Sequence, residues 1–312
     1  MALNFPTSPS YGDTYGQYVY DGAWQLDRPS SDKTPTIAVV SGASVTPTYD
    51  GTAAVYSFTS DGNIIIESAG YADILLVGGG GAGAAGCAGG SGGGAGGYLY
   101  IENAYLPAGS LDVVVGAGGE IGPYSASLST GRDGNNGYAS SLHKYFAPGG
   151  AGGRAGDFWI NTNGVAGMPG HNGASGSGAS GWVNGSLSNV GGAGVTGLGN
   201  NGGTANNRGG GGGGGASAVG ANSPAANQGG DGGAGASNSI TGSAVTYAGG
   251  GGGGGNTVAG TGGAGGGSNG ATGNNNATDA TSNTGGGGGG SYATGTTAGA
   301  GGSGIVIVRI NS

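Results

Sequence analysis

Residues 72–86 read ADILLVGGGGAGAAG. An apolar run meets Gly81, Gly83 and Gly86 in G-x-G-x-x-G spacing, and Glu102 closes a second apolar run, YLYIE. Those types at that spacing outline a dinucleotide site. The glycines admit a pyrophosphate, the following helix N-terminus holds it, and an acid about twenty residues on takes the ribose hydroxyls. The chemistry requires the helix. Residues 86–97, GCAGGSGGGAGG, are glycine at eight of twelve positions. Each such glycine costs a helix about 1 kcal/mol against alanine, and the segment offers no apolar face to dock. No nucleotide or other cofactor is therefore expected. Glu102 and Glu120 are isolated, and His143 and His171 are the two histidines. No Asp, Glu, His or Cys cluster has metal-ligand spacing, and no paired carboxylates suggest acid–base catalysis. The chain is not expected to be an enzyme. Cys87 is the single cysteine, so no intrachain disulfide can form, and it reads as a small buried filler.

Composition narrows the remaining classes. Of 312 residues, 88 are glycine and 10 proline, whereas charged residues are 7% and the formal net charge is −8. Such low charge does not fit disorder driven by charge repulsion. The seven Lys and Arg are scattered, so nothing suggests a nucleic-acid groove and no nucleic-acid partner is expected. No apolar run approaches the ~18 residues of a membrane span, and MALNFPTSPS does not read as a secretory leader. No membrane insertion is expected, and synthesis in a cytoplasm is.

The elements divide into two kinds of material. Leu, Ile, Val and Phe number 28 in residues 1–150, 12 in residues 151–304, and five in the last eight. The first part alone can build an apolar core, at about 1.5–3 kcal/mol per buried side chain. It reads as β, with no sustained helical period. Asp21-Gly22 and Asp61-Gly62 each sit between β-prone arms and predict hairpins. ADILLV, GYLYIE and LDVVV follow as strands, and SLHKYF places His143 at a strand edge. The terminal GIVIVRI must pair with something, and the sheet holding ADILLV is the expected place. The glycine-rich region then becomes an insertion closed at both ends by one sheet.

The insertion has a period. Pure-glycine runs fill 209–215, 249–255 and 285–290, with shorter interrupted runs between them. Repeats at this spacing predict an array of similar units. A polyproline-II-like glycine helix has three residues per turn, rises about 3.1 Å per residue and makes no internal hydrogen bonds. A helix surrounded by neighbours is crowded at all three positions and must be glycine throughout. The long runs, represented by Gly209, Gly212, Gly215, Gly249, Gly252, Gly255, Gly285, Gly288 and Gly290, are thus predicted at the centre. Interrupted runs belong outside. Ordering a residue costs about 1–2 kcal/mol and each hydrogen bond returns about 0.5–1.5, so the array needs the β scaffold. Taken alone, the residues leave a packed array and an unstructured glycine linker both open.

From about Thr52 onward the chain resembles the glycine-rich domain of many bacteriophage tail-fibre and adhesin proteins. The likeness is carried by YSFTSDGNIIIES…ADILLVGGGGAG, GGYLYIENAYLPAGSLDVVVGAGG, GYASSLHKYFAPGGAGG, the glycine runs and GGSGIVIVRI. NFPTSPSYGDTYGQYVYDGAWQL resembles the short N-terminal module of phage virion fibres. The resemblance implies a mainly β fold with little or no α-helix: a β-sandwich-like base carrying an inserted array of polyglycine-II helices. Its divisions are a virion-attachment module at 1–50, the base at 51–148, the array at 149–303 and a closing strand at 304–312. It implies a fibre or adhesin on the virion, made in the bacterial host. Its partners would be other virion proteins through the N-terminus and a bacterial surface receptor, a glycan or outer-membrane protein. A homotrimer is expected on the same ground. The alternative is a purely structural fibre or decoration protein.

Phe158, Trp159, Met168, His171 and Trp182 stand out between Arg154 and Gly185, in a region otherwise poor in side chains. Aromatic residues favour contact surfaces, and Trp stacks on sugars. These five are the candidate receptor residues; a cluster capping the glycine helices and a subunit contact remain open for them. The Asn-rich stretches TANNR, SPAANQ and GNNNATDATSN are secondary candidates, or turns. Gly212→Val is expected to disrupt folding and Asn276→Ala is not.

Overall fold

A computed structural model describes residues 14–15, 18–20, 24–26, 34–42, 47–86, 89–122, 131–156, 167–181, 189–293 and 295–311. Among them the regular elements are β-strands, and there is no helix. A small sheet of β1 (Thr14–Tyr15), β2 (Tyr18–Tyr20) and β3 (Trp24–Leu26) comes first. Tyr20 pairs with Trp24, and Asp21-Gly22, expected as a hairpin turn between them, lies outside the described residues.

Two five-stranded antiparallel sheets form the base. One runs β12 (Tyr145–Ala147), β11 (Ser140–Leu142), β10 (Gly109–Val114), β7 (Gly62–Ser68), β4 (Thr36–Gly42). The other runs β5 (Thr48–Asp50), β6 (Ala53–Phe58), β15 (Ile305–Ile310), β8 (Gly70–Val77), β9 (Tyr98–Leu106). Alternation along the strands decides which side chains meet. Ile64, Ile66, Leu111, Val113 and Leu142 of the first sheet pack against Phe58, Ile74, Leu76, Leu106, Val306 and Val308 of the second. β4 and β5 come from residues 36–50, so the base begins before residue 51.

One expectation is corrected. The arms around Asp61-Gly62 do not form a hairpin, because β6 and β7 lie in different sheets. β7 pairs instead with β4 and β10. Both arms carry an apolar alternation, and each satisfies it by facing the same core from opposite sides. The link is held by the Asp61 carboxylate, which accepts the Val115 N–H at 2.8 Å. His143 is not on a strand either. It occupies the turn between β11 and β12 at a φ of 51°.

The terminal strand lies in the middle of its sheet. Ile305–Arg309 pair with Val77–Asp73 of β8, and Val306–Ile310 with Phe58–Ala54 of β6. Arg309 adds an ion pair to Asp50 at 2.8 Å. The outer face of this sheet is covered by the hairpin β13 (Ala236–Asn238) and β14 (Val245–Tyr247), which comes from within the glycine-rich region. Ile240 and Tyr247 pack there against Val55, Leu75, Val77 and Ile307. Burial raises the phenol pKa values of Tyr247 and Tyr98 in this cluster, an effect the hydrogen bond from Asn238 partly opposes at Tyr98.

Candidate functional site: the glycine array and its outer turns

β8 leads directly into a pass of backbone at 78–86. Every third N–H in this pass turns to the same neighbour. Gly78, Gly81 and Ala84 donate to Gly97, Gly94 and Ser91; Gly79, Ala82 and Ala85 to Tyr138, Asn135 and Arg132; Gly80 and Gly83 to Gly302 and Gly299. Its carbonyls accept from three further passes, at Gly150 and Gly153, at Gly119, and at Gly288 and Ser291. Three residues per turn is the polyproline-II period, and these outward bonds account for the polar groups of a buried backbone.

The chain repeats this unit back and forth. Passes at 78–86, 116–122, 148–156, 175–181, 199–204, 218–223, 248–255, 267–271 and 285–291 lead away from the sandwich. Those at 90–97, 131–138, 167–173, 189–194, 209–215, 229–235, 258–263, 276–281 and 296–303 return to it. The 209–215 pass has six bonded neighbours: it donates to the passes holding Gly254, Ala179 and Ala221, and accepts from those holding Gly230, Gly92 and Gly203. The 249–255 run likewise donates to Gly233, Gly93 and Ser268 and accepts from Gly287, Gly263 and Gly213.

This crowding is why the runs are glycine. A Cβ on Gly209, Gly212 or Gly215 would overlap the carbonyl oxygens of Gln228, Asp231 or Gly233. One on Gly249, Gly252 or Gly255 would meet those of Gly263, Gly260 or Val258. One on Gly288 or Gly290 would meet those of Gly299 or Gly90. Gly285 also has a φ of 67°, in the left-handed region where a side chain is strained.

The three pure runs are not alone at the centre. The passes at 78–86, 89–97 and 174–181 are buried as well, although they contain Ala82, Ala84, Ser91, Ala95, Ser175, Ser177, Ala179 and Ser180. The hydroxyls of Ser91, Ser177 and Ser180 serve as lattice acceptors, whereas Ser175 Oγ is buried without a hydrogen-bond partner. Ser91 Oγ takes the Arg154 N–H at 2.8 Å, Ser177 Oγ the His171 N–H at 2.9 Å and Ser180 Oγ the Met168 N–H at 2.8 Å. Ala95 packs in the apolar cluster beneath the β13–β14 hairpin.

The perimeter uses a device that glycine counting misses. An outer pass lacks a neighbour on its open side, so some N–H groups need another acceptor. An Asn or Asp on the adjoining pass supplies Oδ1, and the N–H of the next residue grips the same strand of backbone. Against an antiparallel neighbour the two bonds land two residues apart. Asn136 Oδ1 accepts from Gly152 N at 2.8 Å while Gly137 N donates to Gly150 O at 3.0 Å. Asp133–Gly134 hold Ala155 and Gly153, Asn201–Gly202 hold Gly194 and Gly192, and Asn269–Gly270 hold Gly262 and Gly260. Against a parallel neighbour both bonds fall on one residue. Asn172–Gly173 hold Ala193, Asn222–Ser223 hold Thr204, and Asp231–Gly232 hold Thr261. Asn276–Ala277 hold Thr297, and Asp279–Ala280 hold Ala300. The side-chain carbonyl takes the place of a missing peptide carbonyl. Asp133/Asn136 and Asn276/Asp279 are three residues apart, one turn of the helix, and that spacing was the available signal.

The passes end on opposite sides. Toward the sandwich lie the β13–β14 hairpin and the turns at 196–198 and 264–266. Away from it lie the turns at 205–208, 224–228, 256–257 and 272–275, and the chain at 292–293 and 295. Neighbouring far turns are tied together: Asn227 N donates to Asn207 O at 2.8 Å and Thr257 N to Asn227 O at 3.0 Å. TANNR and SPAANQ fall on this far side. GNNNATDATSN starts there, and its Asn276 and Asp279 are perimeter grips.

Phe158, Trp159 and Trp182 lie outside the described residues. The residues flanking them, Gly156 and Gly167, and Gly181 and Asn189, stand at the far ends of their passes. Met168 and His171 are half-buried on the returning pass 167–173. His171 is held on both ring nitrogens. Arg154 Nη1, which can only donate, lies 2.8 Å from Nε2, so Nδ1 carries the proton toward Gly152 O at 3.0 Å. Arg154 also pairs with Asp133 at 3.2 Å. These contacts join three passes.

The G-x-G-x-x-G residues Gly81, Gly83 and Gly86 lie in the first pass, and a second glycine pass follows in place of a helix. Among the described residues no group of His, Cys, Asp and Glu could hold a metal ion, and no helix is long and apolar enough to cross a membrane. Comparison with curated proteins gives no match. The family model described as a glycine-rich domain matches residues 59–311, which runs from just before β7 to the end of β15. The chain belongs to the glycine-rich domain family.

Proposed function

We propose that this chain is a bacteriophage fibre or tail adhesin. It attaches to the virion through its N-terminal residues and binds a bacterial surface receptor, a glycan or outer-membrane protein, through the far turns of the array. One observation carries the reading: the passes open onto a single face remote from the sandwich. Loops on a rigid scaffold can vary without disturbing what holds them, which is the usual arrangement of binding surfaces. The far turns are rich in Asn and Thr, and amides and hydroxyls suit glycan recognition. Phe158, Trp159 and Trp182 are the aromatic anchors in this reading, because the chain enters and leaves their segments at the far face. Met168 and His171 belong to the same candidate set and lie on the pass that follows the first of these segments.

Purified full-length chain is expected to bind cells of the host and to block infection by the parent phage. Trp159→Ala together with Trp182→Ala is expected to abolish both effects and leave the melting temperature unchanged. A wild-type protein that neither binds nor blocks would overturn the adhesin reading and leave a purely structural fibre. The homotrimer expected of a fibre is tested separately, by sedimentation mass.

A further inference from the structure

We propose that the array protects its own Asn–Gly steps from deamidation, and that the two-point grip is the protecting element. Asn–Gly is the dipeptide most open to this reaction, because glycine leaves the attacking nitrogen unhindered. The glycine N attacks the Asn side-chain carbonyl carbon and loses its proton, and ammonia leaves. Water then opens the cyclic imide at either carbonyl, giving Asp or isoaspartate.

Four such steps lie in the described array, at Asn136–Gly137, Asn172–Gly173, Asn201–Gly202 and Asn269–Gly270. In each, the attacking N–H is already donated: Gly137 to Gly150 O at 3.0 Å, Gly173 to Ala193 O at 3.2 Å, Gly202 to Gly192 O at 2.9 Å, Gly270 to Gly260 O at 2.9 Å. In each, Oδ1 is also fixed as an acceptor, from Gly152, Ala193, Gly194 or Gly262. Cyclisation must swing the side chain back onto its own backbone, which breaks both bonds and the local helical dihedrals. Losing two bonds of ordinary net strength slows the reaction by roughly tenfold or more.

The two products differ in consequence. Asp133, Asp231 and Asp279 make the same grip with a carboxylate, so conversion to Asp preserves it. Isoaspartate lengthens the backbone by one carbon. It shifts every later residue of the pass against neighbours that bond in threes. An array built from Asn–Gly edges therefore keeps its register over time only if the chemistry is suppressed. Two further Asn–Gly steps, at 163–164 and 184–185, lie outside the described residues and form no part of the inference.

The test is to age full-length protein in mildly alkaline buffer, folded and in guanidinium, and to quantify isoaspartate at each site by peptide mapping. The expected result is a folded rate roughly tenfold or more below the unfolded rate at all four sites. Equal rates in the two states overturn the proposal. Ala193→Pro separates the grip from simple packing. Ala193 is exposed, is not at a positive φ, and gives its N–H to Asn172 alone, so proline removes one bond without filling the lattice. Deamidation is expected to rise several-fold at Asn172 and to stay at the folded rate at Asn136, Asn201 and Asn269. An unchanged rate at Asn172 in a folded Ala193→Pro protein overturns the role of the grip.

Discussion

The base and the array exclude water by opposite means. In the sandwich, Phe58, Ile74, Leu76, Val306 and Val308 are fully buried and the backbone is hidden behind them. In the array the buried material is the backbone itself, and its hydrogen bonds run sideways to as many as six neighbours. A side-chain core draws its free energy from apolar area and accepts other side chains of similar volume. A backbone core has no volume to exchange. Its tolerance is therefore lowest where its sequence looks simplest.

The sharpest break of this comparison is Gly213→Ala. One methyl group at Gly213 would collide with the carbonyl of Gly93, in a neighbour that is itself fully surrounded. The expected loss is about 4 kcal/mol or more, at the diagnostic end for a single substitution. It should be read as failure to reach a folded state or a drop in denaturation midpoint. Gly197→Ala is the control, because nothing lies within 4 Å of a Cβ there and only the φ of 84° opposes it. Its cost is about 1–2 kcal/mol. Equal losses for the two would mean that backbone strain, and not crowding, sets the glycine requirement.

In the base, Leu76→Ala should cost about 2–5 kcal/mol, while Leu76→Met stays under about 1.5. Chemical denaturation of the pair shows whether the base keeps the tolerance that the array lacks. At the perimeter, Asn276→Ala removes the acceptor for Thr297 N on an exposed edge. About 1 kcal/mol or less is expected, because water can replace the side chain. A loss of that size leaves the chain folded, unlike Gly212→Val, which puts a side chain against the Asp231 carbonyl. Asn276→Asp should be neutral, since Asp279 makes the same bond one turn on.

The smallest effect is set by pH. Burial raises the phenols of Tyr98, Tyr100, Tyr145 and Tyr247 above their ordinary value. The folded state thus favours the protonated form. That contribution is complete below the unfolded phenol pKa and is lost as pH rises through the higher folded values, past about 10. Melting temperature should fall in that alkaline range together with the rise of tyrosinate absorbance. A flat profile there would show that the phenols are as free as in the unfolded chain.

Much of the base was legible because apolar strands must be paired and covered. GIVIVRI could not remain exposed, and it fills the gap between β6 and β8. The pairing at Asp61-Gly62 was not legible. A turn signal marks a change of direction, and either a hairpin or a crossing between sheets satisfies it. In the array, neighbouring carbonyls crowd Gly212 and Gly252 of the pure-glycine runs, but the centre also includes Ala- and Ser-bearing passes. The hydroxyls of Ser91, Ser177 and Ser180 replace peptide carbonyls there, and composition alone does not reveal that exchange. The Asn and Asp grips were hidden because Asn beside Gly ordinarily means a turn. Only the spacing of three in Asp133/Asn136 and Asn276/Asp279 marked a helix edge.

Amide hydrogen exchange resolved to single residues tests the central claim most directly. If the array is a packed backbone core closed by β15, the amides of Gly213, Gly251 and Gly288 exchange only with global unfolding, as slowly as those of Leu75 in β8 and Ile307 in β15. Exchange of those glycine amides at the rate of an open chain, with β8 and β15 still protected, would contradict it.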